Sequence, residues 1–309
     1  MSFTKDSLAE AVRLFANSNE ANQGRNLFRQ FVIEAGRNPA EFDYLFENLA
    51  DEESREVLSW ALRFRTVAFL SQSRDMARKI VPSRISEVEW QRMVDTAQTL
   101  PEAKYEKNLD VDLVENFILD GYNLPGICEV EAKDVVLDCG AFNGNSAIAL
   151  GRHCPDGRVY AFEPNPAMLD VLKRNVAKSG LKNIEVIPAG LAQEKTKLRF
   201  KRDGAASRPD PKGDVEVDVI SIDSWVAERK LQSVDFIKFD IEGFEQPALR
   251  GCIHTIRHFR PKLAISIYHL FNDFTMIPRM VQDMGGWYRF YLRHNAVTGG
   301  EIVLFCQPR

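Results

Sequence analysis

Asp134-Val-Val-Leu-Asp138-Cys-Gly140-Ala-Phe142-Asn143-Gly144-Asn145-Ser146 is the stretch on which the fold turns. Val-Val-Leu between two aspartates reads as a compact buried strand. Two glycines four residues apart follow, and from Ser146 to His153 the pattern is helical. A strand that enters a glycine turn and leaves it as a helix is the opening unit of an α/β fold. Downstream the alternation continues. Arg158–Phe162 is a strand, Ala167–Ser179 a helix and Asn183–Ile187 a third strand, and Val234–Phe239 and Leu263–Tyr268 are strands separated by a helical stretch, Gln246–His258. Such alternation implies right-handed crossovers and a mostly parallel, Rossmann-like sheet covered on both faces.

The carboxyl end breaks the rhythm. Trp287–Leu292 and Glu301–Phe305 flank a loop with Gly299-Gly300, too short for a helix, so the sheet should finish in an antiparallel hairpin. Residues 201–214 are polar and rich in Gly and Pro, and a solvated hairpin tip is favoured there over a substrate flap. Upstream the texture is helical: Leu8, Val12 and Phe15 share a face, as do Val57, Ala61, Phe64 and Ala68. Asn38-Pro39-Ala40-Glu41 and Ser86/Glu89 read as helix starts with a cap and a reaching glutamate. The chain thus divides into a helical region, 1–109, and an α/β domain, 110–309. The helical region is expected to pack separately and to border an acceptor pocket or a homodimer contact.

A formal net charge of −4 disfavours a nucleic-acid partner. No stretch approaches the roughly 18 apolar residues of a membrane span, and the amino terminus lacks the apolar core of a signal peptide. Five scattered cysteines argue against a disulfide framework or a zinc site, and for a reducing cytoplasm.

Ligands of open α/β sheets bind outside the carboxyl ends of the strands. Gly140 permits a tight turn, and Gly144 is expected to let the backbone approach a ligand. Asn145 and Ser146 at the helix start suit a carboxylate, and Asp138 is placed to accept from an ammonium. The next strand ends in Phe162-Glu163-Pro164-Asn165, where Glu163 can accept both ribose hydroxyls of an adenosine. A dinucleotide fingerprint would need glycine at position 142 to admit a pyrophosphate, and Phe142 stands there. The pattern fits an amino-acid-bearing nucleoside, S-adenosylmethionine, with Asn143, Gly190 and Asp240 completing the cofactor set.

Asp138–Ser146, Phe162–Asn165 and Ile237-Lys-Phe-Asp240-Ile-Glu242-Gly-Phe-Glu245 together resemble the FkbM-type methyltransferases, over roughly residues 105–309. The resemblance implies a class I methyltransferase fold, S-adenosylmethionine as donor and usually an oxygen acceptor on a sugar or polyketide. The chain is therefore expected to be an O-methyltransferase for a small-molecule or carbohydrate hydroxyl. An N-methyltransferase on the same fold and a non-catalytic S-adenosylmethionine-binding module are the rivals. The absence of an Asn-Pro-Pro-aromatic motif after the fourth strand weighs against nucleic-acid amine methylation.

An alcohol needs a base or a metal near neutral pH. His269, just past a strand end, is the expected general base, with Asp240 positioning donor and acceptor. Glu242 and Arg293 are expected on the acceptor side, and Glu245 either there or at a helix start. Asp240, Glu242 and His269 could together approach magnesium, but no dense carboxylate cluster is visible, so a metal-free reaction is favoured. The acidic and aromatic run Tyr105–Pro125 either closes over the pocket or packs as a linker.

Overall fold

The computed structural model describes residues 2–16, 29–105, 110–200, 212–213, 215–297 and 300–309. Seven helices come first: α1 (Phe3–Ala16), α2 (Arg29–Arg37), α3 (Pro39–Asn48), α4 (Glu52–Ser71), α5 (Arg74–Ile80), α6 (Glu87–Ala97) and the short α7 (Asp110–Leu113). The start of α6 is a complete capping box: Ser86 accepts from the Glu89 amide and Glu89 from the Ser86 amide. At α3 the expected box does not form. Asn38 donates to Glu34 and Glu41 pairs with Arg279, because an ion pair to a distant helix outcompetes the local loop. A 3-10 turn, Pro101–Lys104, precedes α7, and a π-helical turn, Val114–Ile118, follows it.

The α/β part runs β1 (Val135–Cys139), α8 (Asn145–His153), β2 (Arg158–Phe162), α9 (Pro166–Ser179), β3 (Ile184–Ile187), β4 (Gly190–Leu191), β5 (Thr196–Phe200), β6 (Val215–Ile220), α10 (Ile222–Arg229), β7 (Phe236–Phe239), α11 (Glu245–Arg250), α12 (Ile253–Phe259), β8 (Lys262–Ser266), α13 (Asp273–Asp283), β9 (Tyr288–His294) and β10 (Ile302–Pro308). Seven strands pair in the order β3-β2-β1-β7-β8-β10-β9. The first five are parallel, while β10 lies antiparallel between β8 and β9, which is the mostly parallel sheet with a terminal hairpin implied above. The strand order reverses between β1 and β7, so their carboxyl ends open a crevice. A second, three-stranded sheet, β4-β6-β5, flanks it. The excursion 201–214 falls between β5 and β6, and all of it except Lys212 and Gly213 lies outside the described residues.

Two details depart from the sequence pattern. The stretch 246–258 is two helices, because Gly251 passes so close to the Ala192 carbonyl that a Cβ would lie 2.2 Å from its oxygen. Helix α13, absent from the strand–helix reading, buries Phe274, Ile277 and Val281 on one side.

The boundary at 109/110 separates sequence textures more than cores. One apolar cluster runs from Ala11, Phe31, Phe42 and Leu62 through Phe290 and Leu292 to Leu137 and Ile265. Helix α4 lies against the edge strand β9: Ser54 Oγ accepts from the Leu292 amide at 2.8 Å, and the Ala50 amide donates to the Phe290 carbonyl. Arg65, buried in α4, stacks on Phe31 of α2 and Phe274 of α13. Helix α6 instead joins α7 and the π-turn in a small cluster around Leu113 and Val114. Deleting residues 1–103 should therefore expose Phe290, Leu292 and Phe274 and leave an aggregating or molten chain. A soluble truncation with a cooperative thermal transition would show that the two parts fold independently.

Candidate active site

The ends of β1 and β7 come together at Gly140. This residue has φ +90°, and a Cβ there would lie 1.8 Å from the Asp240 carbonyl oxygen, so only glycine lets the β1 turn pass the β7 end. Beside it the Lys238 ammonium is buried, 3.0 Å from Asp138 Oδ1, and donates to the Gly140 carbonyl at 2.7 Å. Burial works against this charge, but the Asp138 and Asp240 carboxylates outweigh it and hold the Lys238 pKa above its ordinary value. Asp138 also accepts from Ser146 Oγ at 2.7 Å. One ion pair thus joins β1, β7 and the start of α8.

Above this pair lies a cavity of about 290 Å³, close to the roughly 300 Å³ at which small-molecule sites begin. Gly140, Phe142, Asn143, Ser146, Glu163, Pro164, Asn165, Gly190, Asp240 and Glu242 line it. Glu163 is held by two amides, Asn165 N to Oε1 at 2.7 Å and Phe142 N to Oε2 at 3.0 Å. Burial is the stronger influence and pushes Glu163 up to about 7 against those hydrogen bonds. Phe142, Glu242 and Glu301 all line the cavity with positive φ (47°, 56° and 51°), a backbone cost of about 1 kcal/mol or more each. Strained non-glycine residues of this kind cluster at ligand sites, and these three surround one cavity.

The structure moves several expected residues off the wall. Asp138 sits beneath it, fully buried and engaged by Lys238 and Ser146, so it does not present a carboxylate to a ligand. Gly144 is required by packing rather than by ligand approach: its φ is +95°, and a Cβ would lie 2.7 Å from Leu172 Cδ1 of α9. Asn145 is also behind the wall; its amide donates to Asn143 Oδ1 and its side chain to Asp112. Arg293 turns away from the site altogether. It pairs with Asp51 at 2.8 Å and Glu53 at 3.3 Å, fastening β9 to the start of α4.

His269 is corrected as well. Its side chain is 4 % exposed and lies behind Asp240 and Glu242 rather than on the cavity wall. Nδ1 is 2.9 Å from Glu245 Oε1, while Nε2 faces Asp240 at 3.5 Å and Glu242 at 3.8 Å. Burial disfavours the imidazolium, yet the Glu245 hydrogen bond and the Asp240, Glu245 and Glu242 charges prevail and push His269 up to about 9. At neutral pH it is a cation holding three carboxylates, not a base with a free lone pair. Asp240 itself is on the wall, its Oδ2 accepting from Tyr122 Oη at 2.6 Å. Burial raises its proton affinity, but Lys238, His269 and the Tyr122 hydroxyl hold it below the usual carboxylate range.

The residues missed from sequence come mainly from the segment before β1. Asp112, Glu115, Asn116 and Tyr122 line the cavity, while Leu113, Val114 and Phe117 of the same run pack in the small cluster with α6. Tyr268 and Glu301 complete the far side, with Tyr268 Oη donating to Glu301 at 2.9 Å. The expectation of no dense carboxylate cluster fails accordingly: Asp112, Glu115, Glu163, Asp240, Glu242 and Glu301 line one cavity from four separate stretches of chain. For a metal, the close grouping among the described residues is Asp240, Glu245 and His269, with ligand atoms within 4.8 Å of one another. Glu245 replaces Glu242 in that set, but both its oxygens already accept backbone amides, Ile241 at 2.8 Å and Gly243 at 3.0 Å.

The chain is similar to several known proteins. The family described as the methyltransferase FkbM domain matches residues 138–295, just over half of the chain. The methyltransferase sdnD of Sordaria araneosa is 25% identical over 162 residues, 40% of this chain and 62% of its own. A probable ribosomal RNA small subunit methyltransferase A of Methanosphaera stadtmanae is 30% identical over 87 residues, 27% of this chain and 31% of its own. The crystal structure of methyltransferase FkbM from Methylobacillus flagellatus superposes with a TM-score of 0.60 at 21% identity, covering 92% of this chain and 63% of that one. The chain thus spans less than two thirds of each of these relatives, and the structural likeness carries the fold. The family match takes in the β1 turn, Glu163, the β7 motif and His269 together: the chain belongs to the FkbM methyltransferase domain family.

Proposed function

We propose that the protein transfers a methyl group from S-adenosylmethionine to a hydroxyl of a small-molecule or carbohydrate acceptor. The observation that carries this reading is one cavity, at the reversal of strand order, with Glu163 on the β2 side and Asp240 at the end of β7. The residues present fit the donor. Glu163 is ready for two ribose hydroxyls, and the Gly190 and Leu191 backbone beyond it bounds the nucleoside end. Asp112, placed by Asn143 and Asn145, takes the ammonium-binding part that the sequence assigns to Asp138. The donor supplies the activated methyl, so the protein must align, exclude water and manage one proton.

That proton falls to Asp240. Its carboxylate is fixed by Tyr122 and faced by the His269 cation, so it orients the acceptor hydroxyl and takes the proton as the carbon–oxygen bond forms. His269 is a positioning residue, held in turn by Glu245. Asp240 already accepts from Tyr122 and Glu245 from backbone amides, which favours a metal-free reaction over magnesium. The acidic wall opposes a phosphate backbone, in keeping with a small acceptor. Among the described residues no helix is long and apolar enough to cross a membrane.

Two measurements test the proposal. Glu163 must be ionised to accept from the ribose, and with a value of about 7 it gains a proton as pH falls. S-adenosylhomocysteine should therefore bind about tenfold more weakly at pH 6 than at pH 8, a dependence that Glu163→Gln removes along with most of the affinity. A flat wild-type profile, or unchanged affinity in the variant, removes Glu163 from the site. For turnover of hydroxylated acceptors, Asp240→Asn should lower kcat about a hundredfold or more. His269→Gln should lower it less and keep the acidic limb of the pH profile, with chelator harmless to the wild type. Loss of that limb in His269→Gln would restore the imidazole as the base.

A further inference from the structure

The sheet divides the cavity into a donor half over β1 and β2, where Glu163 and Gly190 lie, and a second half bounded by β7, the β8 end and the start of β10. In that second half every charged side chain on the wall is a carboxylate: Glu115, Asp240, Glu242 and Glu301. The cation on the cavity wall among the described residues, Lys238, is engaged by Asp138 and the Gly140 carbonyl. The buried His269 cation faces Asp240, Glu242 and Glu245. Among the described residues no cation lies at ion-pair distance from Glu115 or Glu301, and Glu301 feels the His269 charge only from farther off.

A second observation concerns hydrogen bonds. Glu115 Oε1 is buried with no donor among the described residues, and so is Asn116 Oδ1 beside it. Asn116 is only 6 % exposed, lines the cavity, and uses its amide group on Asp112. Buried acceptors without donors are costly, and beside a cavity a ligand or an ordered water is what can supply the missing N–H or O–H. Burial raises the proton affinity of both Glu115 and Glu301, and the Glu301 charge adds to it at Glu115. A neutral polyol would leave these carboxyls driven toward their protonated form, whereas a cation would hold them ionised. A phosphate or carboxylate would add repulsion. A divalent metal would seek the Asp240–Glu245–His269 grouping, which lies elsewhere.

We infer that this half of the cavity recognises a protonated amine: Glu115 and Glu301 hold an ammonium group of the acceptor while its hydroxyl faces Asp240. The acceptor class is then an amine-bearing alcohol, an amino sugar or a smaller amino polyol. This rests on the methyl-transfer reading above, and it separates from that reading by experiment. With S-adenosylhomocysteine saturating the donor half of the full-length protein, three matched probes are titrated by calorimetry: 2-amino-1,3-propanediol, glycerol and glycerol 3-phosphate. The ammonium probe should bind at least about tenfold more tightly than glycerol, as expected of charge-assisted hydrogen bonds, and the phosphate most weakly. In Glu115→Gln/Glu301→Gln that preference should vanish while S-adenosylhomocysteine affinity stays unchanged. Equal binding of all three probes, undetectable binding included, overturns the inference. So does a preference that survives in the double variant, or a double variant that loses S-adenosylhomocysteine, which would give these carboxylates to the donor's own ammonium. If S-adenosylhomocysteine fails to bind the wild type, the donor reading itself falls and takes the inference with it.

Discussion

A lysine and an aspartate buried side by side set the geometry on which the site depends. Lys238 and Asp138 are 1 % and 0 % exposed, and desolvating them costs several kcal/mol per ion unless each is fully engaged. Here the engagement ties the machinery together: Asp138 Oδ2 holds Ser146 at the start of α8, and the Lys238 ammonium holds the Gly140 carbonyl. Since Gly140 also lies against the Asp240 carbonyl, the pair fixes where the β1 turn stands relative to Asp240. Two hydrophobic residues in their place would hold β1 to β7 as well, but would leave the Gly140 carbonyl and Ser146 without these partners.

The rest of the site is arranged around this fixed edge. The segment before β1 leans over it through two separate attachments, Asp112 to Asn143 and Asn145, and Tyr122 to Asp240. The second fixes the Asp240 carboxylate directly, so the placement of this segment and the orientation of Asp240 are linked. A similar coupling runs beneath: His269 is held by Glu245, whose two oxygens also cap the bend that carries Glu242. Helices α1 to α5 take no part in the wall. They bury the outer strand β9 and the face of α13, and they stiffen the side of the sheet from which Glu301 and Tyr268 project.

What the sequence made legible follows a rule of distance. The β1 turn, Glu163 and Asp240 are read from local pattern, because a strand end, a turn and a helix start are adjacent in sequence. The same nearness misled for Asp138 and Gly144: proximity to the turn says nothing of whether a side chain faces the ligand or a neighbouring helix, and here Lys238 and Leu172 decide. Arg293 sat on the right hairpin but on a strand edge covered by α4, where Asp51 and Glu53 claim it. His269 was located correctly as a strand-end residue, and its chemistry changed only because three carboxylates from the β7 motif surround it. Asp112, Glu115 and Asn116 had one signal, the acidic run ahead of β1. A π-helical turn shifts the angular spacing of side chains, so helical periodicity could not tell which of them face inward. Glu301 carried no signal beyond its place at the start of the last strand.

We propose that the Lys238–Asp138 pair organises the donor site and does more than hold the strands together. The most direct test is S-adenosylhomocysteine binding, measured with urea unfolding, in Lys238→Met, Asp138→Leu and the double variant. Either single change leaves a buried charge alone and should cost about 3–5 kcal/mol of stability. The double variant removes both charges and should regain most of that loss, yet bind S-adenosylhomocysteine at least about a hundredfold more weakly, about 2.7 kcal/mol, because the Gly140 carbonyl and Ser146 then lose the groups that hold them and only the turn's amides remain engaged. A double variant that is stable and binds with native affinity would contradict the claim and reduce the pair to a packing element.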